Sequence, residues 1–249
     1  MQKAIFNIQN ETDFERCALQ VFKHQFENNK VYRSFCDLLY IHPSDIKEVT
    51  QIPFLPIQFF KTHQVLSTNQ SVQETFTSSG TTGAQVSKHL VADLSWYETS
   101  YTRAFEHFYG SVKDYTVLGL LPNYLEREGS SLIYMVNDFI HKSNNPKSGF
   151  YLDTLSELTK TLIALDQKGE KVLLIGVTFA LLDLIESQTF TLNNTVIMET
   201  GGMKGRRKEL IREELHEILA AGFGVSKIHS EYGMTELLSQ GYSNGNGIF

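Results

Sequence analysis

Apolar residues recur every three or four positions from Phe14 through Cys17, Ala18, Val21, Phe22 and Phe26, which predicts an amphipathic helix. Thr12 followed by Glu15 has the spacing of a capping box at its start. Tyr32, Phe35, Leu38 and Leu39 predict a second helix. Between Ile52 and Phe60 the string IPFLPIQFF sets Pro53 and Pro56 among large apolar residues, which rules out a regular helix and predicts a buried, extended connection. Trp96, Tyr97, Tyr101, Phe105 and Phe108 return to helical periodicity and are expected in the core.

From Lys113 onward the pattern changes. Continuous apolar runs alternate with helical periodicity: YTVLGLL (115–121), SLIYMVNDFI (131–140), GFYL (149–152), then a helix carrying Leu155, Leu158, Leu162 and Leu165. KVLLIGV (171–177), FALLDLIES, TVIMET (195–200), a helix over 206–221 and VSKIHSEY (225–232) continue the alternation. Strands with no polar face, each followed by a helix, predict an α/β fold with a mostly parallel sheet flanked by helices, preceded by an N-terminal helical segment. In such sheets ligands bind beyond the carboxyl ends of the strands. That directs attention to Pro122 and Asn123, Val177 and Thr178, Gly201 and Gly202, and the surroundings of Tyr232.

Charge and composition narrow the partners. The chain has 22 Lys and Arg against 28 Asp and Glu, a formal charge of -6, so it lacks the basic excess of a nucleic-acid surface. No nucleic-acid partner is expected. The longest apolar stretch, from Val172 to Leu182, is far short of the ~20 residues that span a bilayer, and no signal core opens the chain. Membrane insertion is not expected, and a cytoplasmic location is. Cys17 and Cys36 lie in helical segments without CxxC spacing or clustered histidines, and are read as buried, reduced thiols.

Two stretches carry the chemistry. The first is FTSSGTTG, Phe76 to Gly83, followed by Lys88. Hydroxyls of Ser78, Ser79, Thr81 and Thr82 flank Gly80 and Gly83, whose freedom lets backbone N–H groups converge on an anion such as phosphate. The glycine spacing and the distant lysine exclude a Walker A loop. An ordinary polar hairpin loop remains the alternative for this segment. The second is HSEYGMTE, His229 to Glu236, at the end of the last expected strand. His229 is itself read as a hydrogen-bonded structural histidine, and Ser130 and Ser131 as caps of the helix that starts near Leu132.

The pair TSSGTTG and EYGMTE resembles the phosphate-loop and YGxTE signatures of the adenylate-forming superfamily. IPFLPIQFFKTHQV, LPNYLEREGSSLIYMV and TGGMKGRRKEL are similar to the acyl-protein synthetases of the LuxE type, with phenylacetate-CoA ligases as the nearest alternative relatives. The resemblance runs from about Ile52 to the end of the chain and is weakest over the N-terminal helices. It implies residues 1–60 as a helical segment and 61–249 as an α/β nucleotide-binding core. It also implies roles. Ser78, Ser79, Gly80, Thr81, Thr82 and Gly83, with Thr77 and Lys88 beside them, match the loop around the ATP phosphates. Gly201, Gly202 and Met203 match the segment along the adenine; Glu231, Tyr232 and Gly233 match the segment that stacks on it. Thr235 matches the donor to the α-phosphate, and Glu236 the carboxylate that holds Mg²⁺.

The implied activity is ATP- and Mg²⁺-dependent activation of a carboxylic, fatty acid as an acyl-adenylate for transfer to a protein thiol, with an acyl-donor or acceptor protein as partner. A CoA-forming ligase of the phenylacetate type and a non-catalytic nucleotide- or partner-binding module are the alternatives. Lys88 sits further from the loop than the family lysine. The superfamily's ribose-binding aspartate and mobile C-terminal domain have no counterpart before Phe249, so the chain is expected to be a piece of a longer protein, with a shortened homologue as the alternative.

Overall fold

The computed structural model describes residues 2–68, 70–79, 85–122, 128–151, 155–201, 210–245 and 247–249. They form two compact units, residues 1–100 with 235–238, and residues 101–234 with 239–249. Residue 60 lies inside the first unit, and the change of hydrophobic pattern at Lys113 inside the second.

The N-terminal unit holds α1 (Gln2–Ile5), α2 (Glu11–Asn28), α3 (Lys30–Leu38) and α4 (Phe59–Thr62). A two-stranded antiparallel hairpin of β1 (Glu74–Thr77) and β2 (Lys88–Val91) follows, then the first turns of α5 (Ser95–Tyr109). The cap of α2 is Asn10 and not Thr12: extended Asn10 accepts a hydrogen bond from the Asp13 backbone N–H at 2.9 Å. Thr12 therefore lies two residues past the cap, inside the first turn of the helix. Phe22, Phe26, Tyr32 and Cys36 form a buried cluster between α2 and α3, and both cysteines are free and buried, as their sequence context predicts. Ile52 to Pro56 is non-helical, as its prolines require. It is not buried throughout, since Phe54 is 76% exposed.

The C-terminal unit is built on a six-stranded sheet of order β4-β3-β5-β6-β7-β8. Its strands are β3 (Thr116–Leu120), β4 (Gly149–Phe150), β5 (Val172–Gly176), β6 (Thr195–Glu199), β7 (His229–Gly233) and β8 (Gln240–Ser243). All neighbours pair in parallel except β8, which runs antiparallel on the edge beside β7. The connecting helices are α6 (Ser131–Ser143), α7 (Leu155–Gln167), α8 (Thr178–Ser187) and α9 (Arg212–Phe223). Every position of β3 and β5 is buried, which is what a sheet covered on both faces requires of its central strands. Ser130 caps α6 through the Ile133 N–H, in agreement with the capping role read from the sequence. Tyr97, Tyr101 and Phe105 on α5 are core residues, whereas Phe108 is exposed.

Candidate functional site

In the C-terminal unit the parallel register aligns the ends of β3, β5 and β6 on one edge. Backbone hydrogen bonds lace them together: Val177 N–H donates to the Leu120 carbonyl (3.2 Å), Thr200 N–H to that of Gly176 (3.0 Å) and Thr178 N–H to that of Gly201 (3.4 Å). Gly201 has φ +72, the left-handed region that favours glycine. The carboxylate of Glu199, the last residue of β6, accepts the Gly201 N–H at 2.6 Å and pins this turn. The other Glu199 oxygen lies 3.5 Å from Nε2 of His216 on α9.

Beside it, on β7, Glu231 is buried, and its Oε1 has no hydrogen-bond partner among the described residues. Burial, and then the charge of Glu199, push the Glu231 carboxyl up to about 8. Near neutral pH it therefore holds its proton and presents one donor and one acceptor. Its Oε1 lies under the Gly233 backbone, where an added Cβ would come within 3.0 Å of it. Tyr232 is 54% exposed and touches the ring of Phe249 edge-on at 5.9 Å, which leaves aromatic surface for a planar ligand. His229 is structural in the sense expected: it is buried, and Nδ1 lies 3.1 Å from the Tyr109 hydroxyl. Burial, with Lys227 and His216 adding to it, lowers its pKa to about 4.

The other half of the sequence motifs lies in the N-terminal unit. Thr77 and Lys88 face each other across the hairpin. Beyond them Ser78 N–H donates to the Ser87 carbonyl at 3.1 Å, and the Ser78 hydroxyl oxygen accepts from Ser87 N–H at 2.9 Å. Ser78 thus locks the stem of the hairpin, and its hydroxyl proton stays available to a ligand. Gln85, on the returning side, donates to the Lys61 carbonyl at 2.6 Å. Gly80, Thr81, Thr82 and Gly83, like Gly202 and Met203, lie outside the described residues.

One contact joins the two motifs within this unit. His89, the residue after Lys88, has Nδ1 2.9 Å from the backbone carbonyl of Thr235. A carbonyl only accepts, so Nδ1 carries the proton and Nε2 the lone pair of a neutral ring. Burial lowers the His89 pKa, partly offset by the Thr235 carbonyl and the charge of Glu236, which favours that neutral form. Thr235 and Glu236 are thereby tied to the strand that leads out of the Ser-Thr-Gly loop. The sequence reading missed His89 because a lone histidine in a short strand carries no spacing signal. It also missed Glu199, although a carboxylate closing an otherwise apolar strand was a legible sign.

The family match falls on the N-terminal part of the chain. Residues 4–106 match the sequence model of a family described as acyl-protein synthetase, LuxE. A long-chain-fatty-acid–luciferin-component ligase of Photorhabdus luminescens is 31% identical over 70 residues, 28% of this chain and 60% of that protein. The chain thus spans about 60% of the length of this relative. Both findings support the similarity to LuxE-type acyl-protein synthetases. The family match takes in the N-terminal helices, where the resemblance had looked weakest, together with the hairpin and its loop. Among the described residues no helix is long and apolar enough to cross a membrane.

Proposed function

We propose that the chain belongs to an ATP-dependent acyl-protein synthetase that activates a fatty acid as its acyl-adenylate and passes the acyl group to a protein thiol, in the cytoplasm. The observation that carries this reading is the His89–Thr235 tether, which brings Thr235 and Glu236 to the hairpin whose loop has the anion-binding composition, inside the segment matched by the LuxE family. No group of three or more His, Cys, Asp or Glu suited to a metal ion occurs among the described residues. Magnesium is commonly held by one or two carboxylates plus the phosphates of its nucleotide. Glu236 would be that carboxylate, and the bound ion would neutralise phosphate charge.

In this reaction a carboxylate oxygen of the acid attacks the α-phosphorus of ATP, and the bond to pyrophosphate breaks. A thiolate of the acceptor then attacks the acyl carbonyl, and AMP leaves. The chain's own part is positioning and charge stabilisation. Ser78, Ser79 and Lys88 border the triphosphate. The Thr235 hydroxyl donates to the α-phosphate, while His89 fixes its backbone. Tyr232 offers a ring to the purine, with Gly201 and Gly233 giving close backbone approach. The protonated Glu231 supplies a donor and an acceptor beneath Gly233.

ATP–pyrophosphate exchange with a panel of carboxylic acids tests the proposal. Exchange is expected with fatty acids, and Glu236→Gln is expected to lower it at least 100-fold. Absence of exchange with every acid, or an unaltered Glu236→Gln variant, would overturn it. Formation of acyl-CoA in place of acylated protein would move the assignment to a CoA ligase. ATP binding without exchange would move it to a silent module.

A further inference from the structure

In the C-terminal unit a buried carboxylate ties a helix to a turn at the ligand-facing edge of the sheet. Glu199, the last residue of β6, is buried. A carboxylate taken out of water is costly unless donors face it. Among the described residues two do. One Glu199 oxygen accepts the Gly201 N–H at 2.6 Å, and the other lies 3.5 Å from Nε2 of His216. The neighbouring Glu231, kept protonated by burial and by the Glu199 charge, adds no countercharge.

His216 is placed to hold the second oxygen. It stands in the second turn of α9, which Leu215, Leu219 and Phe223 seat in the core. Ser230, the register partner of Glu199 across β6 and β7, has its hydroxyl 3.4 Å from the same Nε2. A carboxylate facing Nε2 calls for a proton on that nitrogen, so the N–H lies between the Glu199 and Ser230 oxygens. The connection continues beyond Glu199, since the Gly201 carbonyl accepts the N–H of Thr178, the first residue of α8, at 3.4 Å. His216, Glu199 and Gly201 thereby link α9 to the start of α8, across the carboxyl ends of β5 and β6 where such sheets take ligands.

We propose that His216 is a positioning residue for nucleotide binding: through Glu199 it fixes the Gly201 turn at that edge. That the edge takes a nucleotide rests on the function proposed above; the relay rests on these contacts. Without the His216 N–H, one Glu199 oxygen loses its donor, and the carboxylate turns away or takes up a proton. The Gly201 N–H then loses the charge that holds it. A glycine released in this way samples many conformations, and binding bears the entropy of reordering it. The loss therefore falls on affinity for the nucleotide and not on the chemical step.

Two measurements on the same variants test this. In ATP–pyrophosphate exchange with a fatty acid, His216→Ala is expected to raise the KM for ATP about tenfold, with kcat and the KM for the acid within about threefold of wild type. His216→Gln restores an N–H of similar reach and should recover most of the ATP affinity. A merely destabilised protein would instead lose kcat with its folded fraction and keep both KM values. Hydrogen exchange of the Gly201 amide, followed by NMR without nucleotide, should quicken about tenfold in His216→Ala and stay near wild type in His216→Gln. Thermal melts check each variant; His216→Phe, which keeps a ring and removes the N–H, replaces His216→Ala should that one unfold. An unchanged KM for ATP, an equal rise in both KM values, or an unchanged Gly201 amide in a folded variant would overturn the proposal. Wild-type protein without exchange activity, but with a Gly201 amide governed by His216, would remove the enzymatic reading and leave the relay standing. Exchange activity with a KM for ATP indifferent to His216 would do the reverse.

Discussion

Every side chain of β3 and β5 is buried in the C-terminal unit, whereas in the N-terminal unit the apolar residues of α2 and β2 border an open volume of about 960 Å³. Both units draw on the same residue types. In the sheet unit the apolar side chains fill space and hold the strand ends at fixed spacing, which suits a scaffold for Gly201, Glu231 and Tyr232. In the N-terminal unit they line space, and cohesion comes from a small cluster around Phe22, Phe26, Tyr32 and Cys36 with polar links such as Tyr32 to the Pro53 carbonyl at 2.7 Å. Apolar content alone does not distinguish a core from a pocket. What distinguishes them is whether a facing element reaches across.

The sharpest way to break this contrast is to delete the same kind of atoms on each side. Leu174, at the centre of β5, is fully buried. Leu174→Ala leaves a void that close-packed neighbours cannot fill, and is expected to cost about 3–5 kcal/mol in urea denaturation. Val21 already faces empty volume. Val21→Ala removes apolar surface without creating a new hole, for about 1 kcal/mol. Equal losses at the two sites would mean that the N-terminal cavity collapses in solution and that the units are packed alike.

How much of this was legible in the sequence follows from the same contrast. β3, β5 and β6 stand out because a strand buried on both faces must be apolar at successive positions, and TVLGL and VLLIG are. β8 does not stand out: QGYS has no apolar run, and it becomes a strand by pairing with β7, Ser243 opposite Ser230. Candidate residues at strand ends were legible from the βα alternation, and Thr235 and Glu236 from their motif. The His89 tether and the proton held by Glu231 were not, because each depends on burial and on a neighbour distant in sequence. The cavity was illegible for a simpler reason. Helical periodicity over Phe14–Phe26 announces an apolar face and is silent about whether that face meets atoms or space.

A second contrast is in pH. The sheet unit carries two buried groups with opposite demands. Glu231, raised to about 8, contributes its full stability below its ordinary value near 4.5 and loses it progressively as pH rises through about 8. His229, lowered to about 4, contributes fully above its ordinary value near 6.5, and that contribution fades as pH falls through about 4. The unit should therefore be most stable between these limbs. Glu231→Gln keeps the shape and removes the ionisation. It is expected to raise stability by about 4 kcal/mol at pH 8.5 and by less than about 1 kcal/mol at pH 5. Denaturation curves at the two pH values check this. An equal effect at both would mean that Glu231 is ionised in the fold, and would remove its role as a donor beneath Gly233.

The smallest effect concerns the entry to α2, the helix that walls the cavity. Sequence spacing put the cap at Thr12, whereas the Asn10 side chain accepts the Asp13 N–H at 2.9 Å with Asn10 itself in extended backbone, φ -152 and ψ 171. A cap satisfies a backbone donor that has no partner within the helix. Asn10→Ala should cost about 1 kcal/mol and Asn10→Gly only a few tenths, because glycine leaves that donor open to water. Thr12→Ala, a change inside the first turn, should stay within about 0.5 kcal/mol. The matching change at the α6 cap, Ser130→Ala, should also cost about 1 kcal/mol, since the Ser130 hydroxyl meets the Ile133 N–H in the same way at 3.3 Å. If Thr12→Ala proved the costlier of the two N-terminal changes, α2 would begin two residues later. Phe14 would then stand at the second helical position, and the wall of the cavity would shorten at that end.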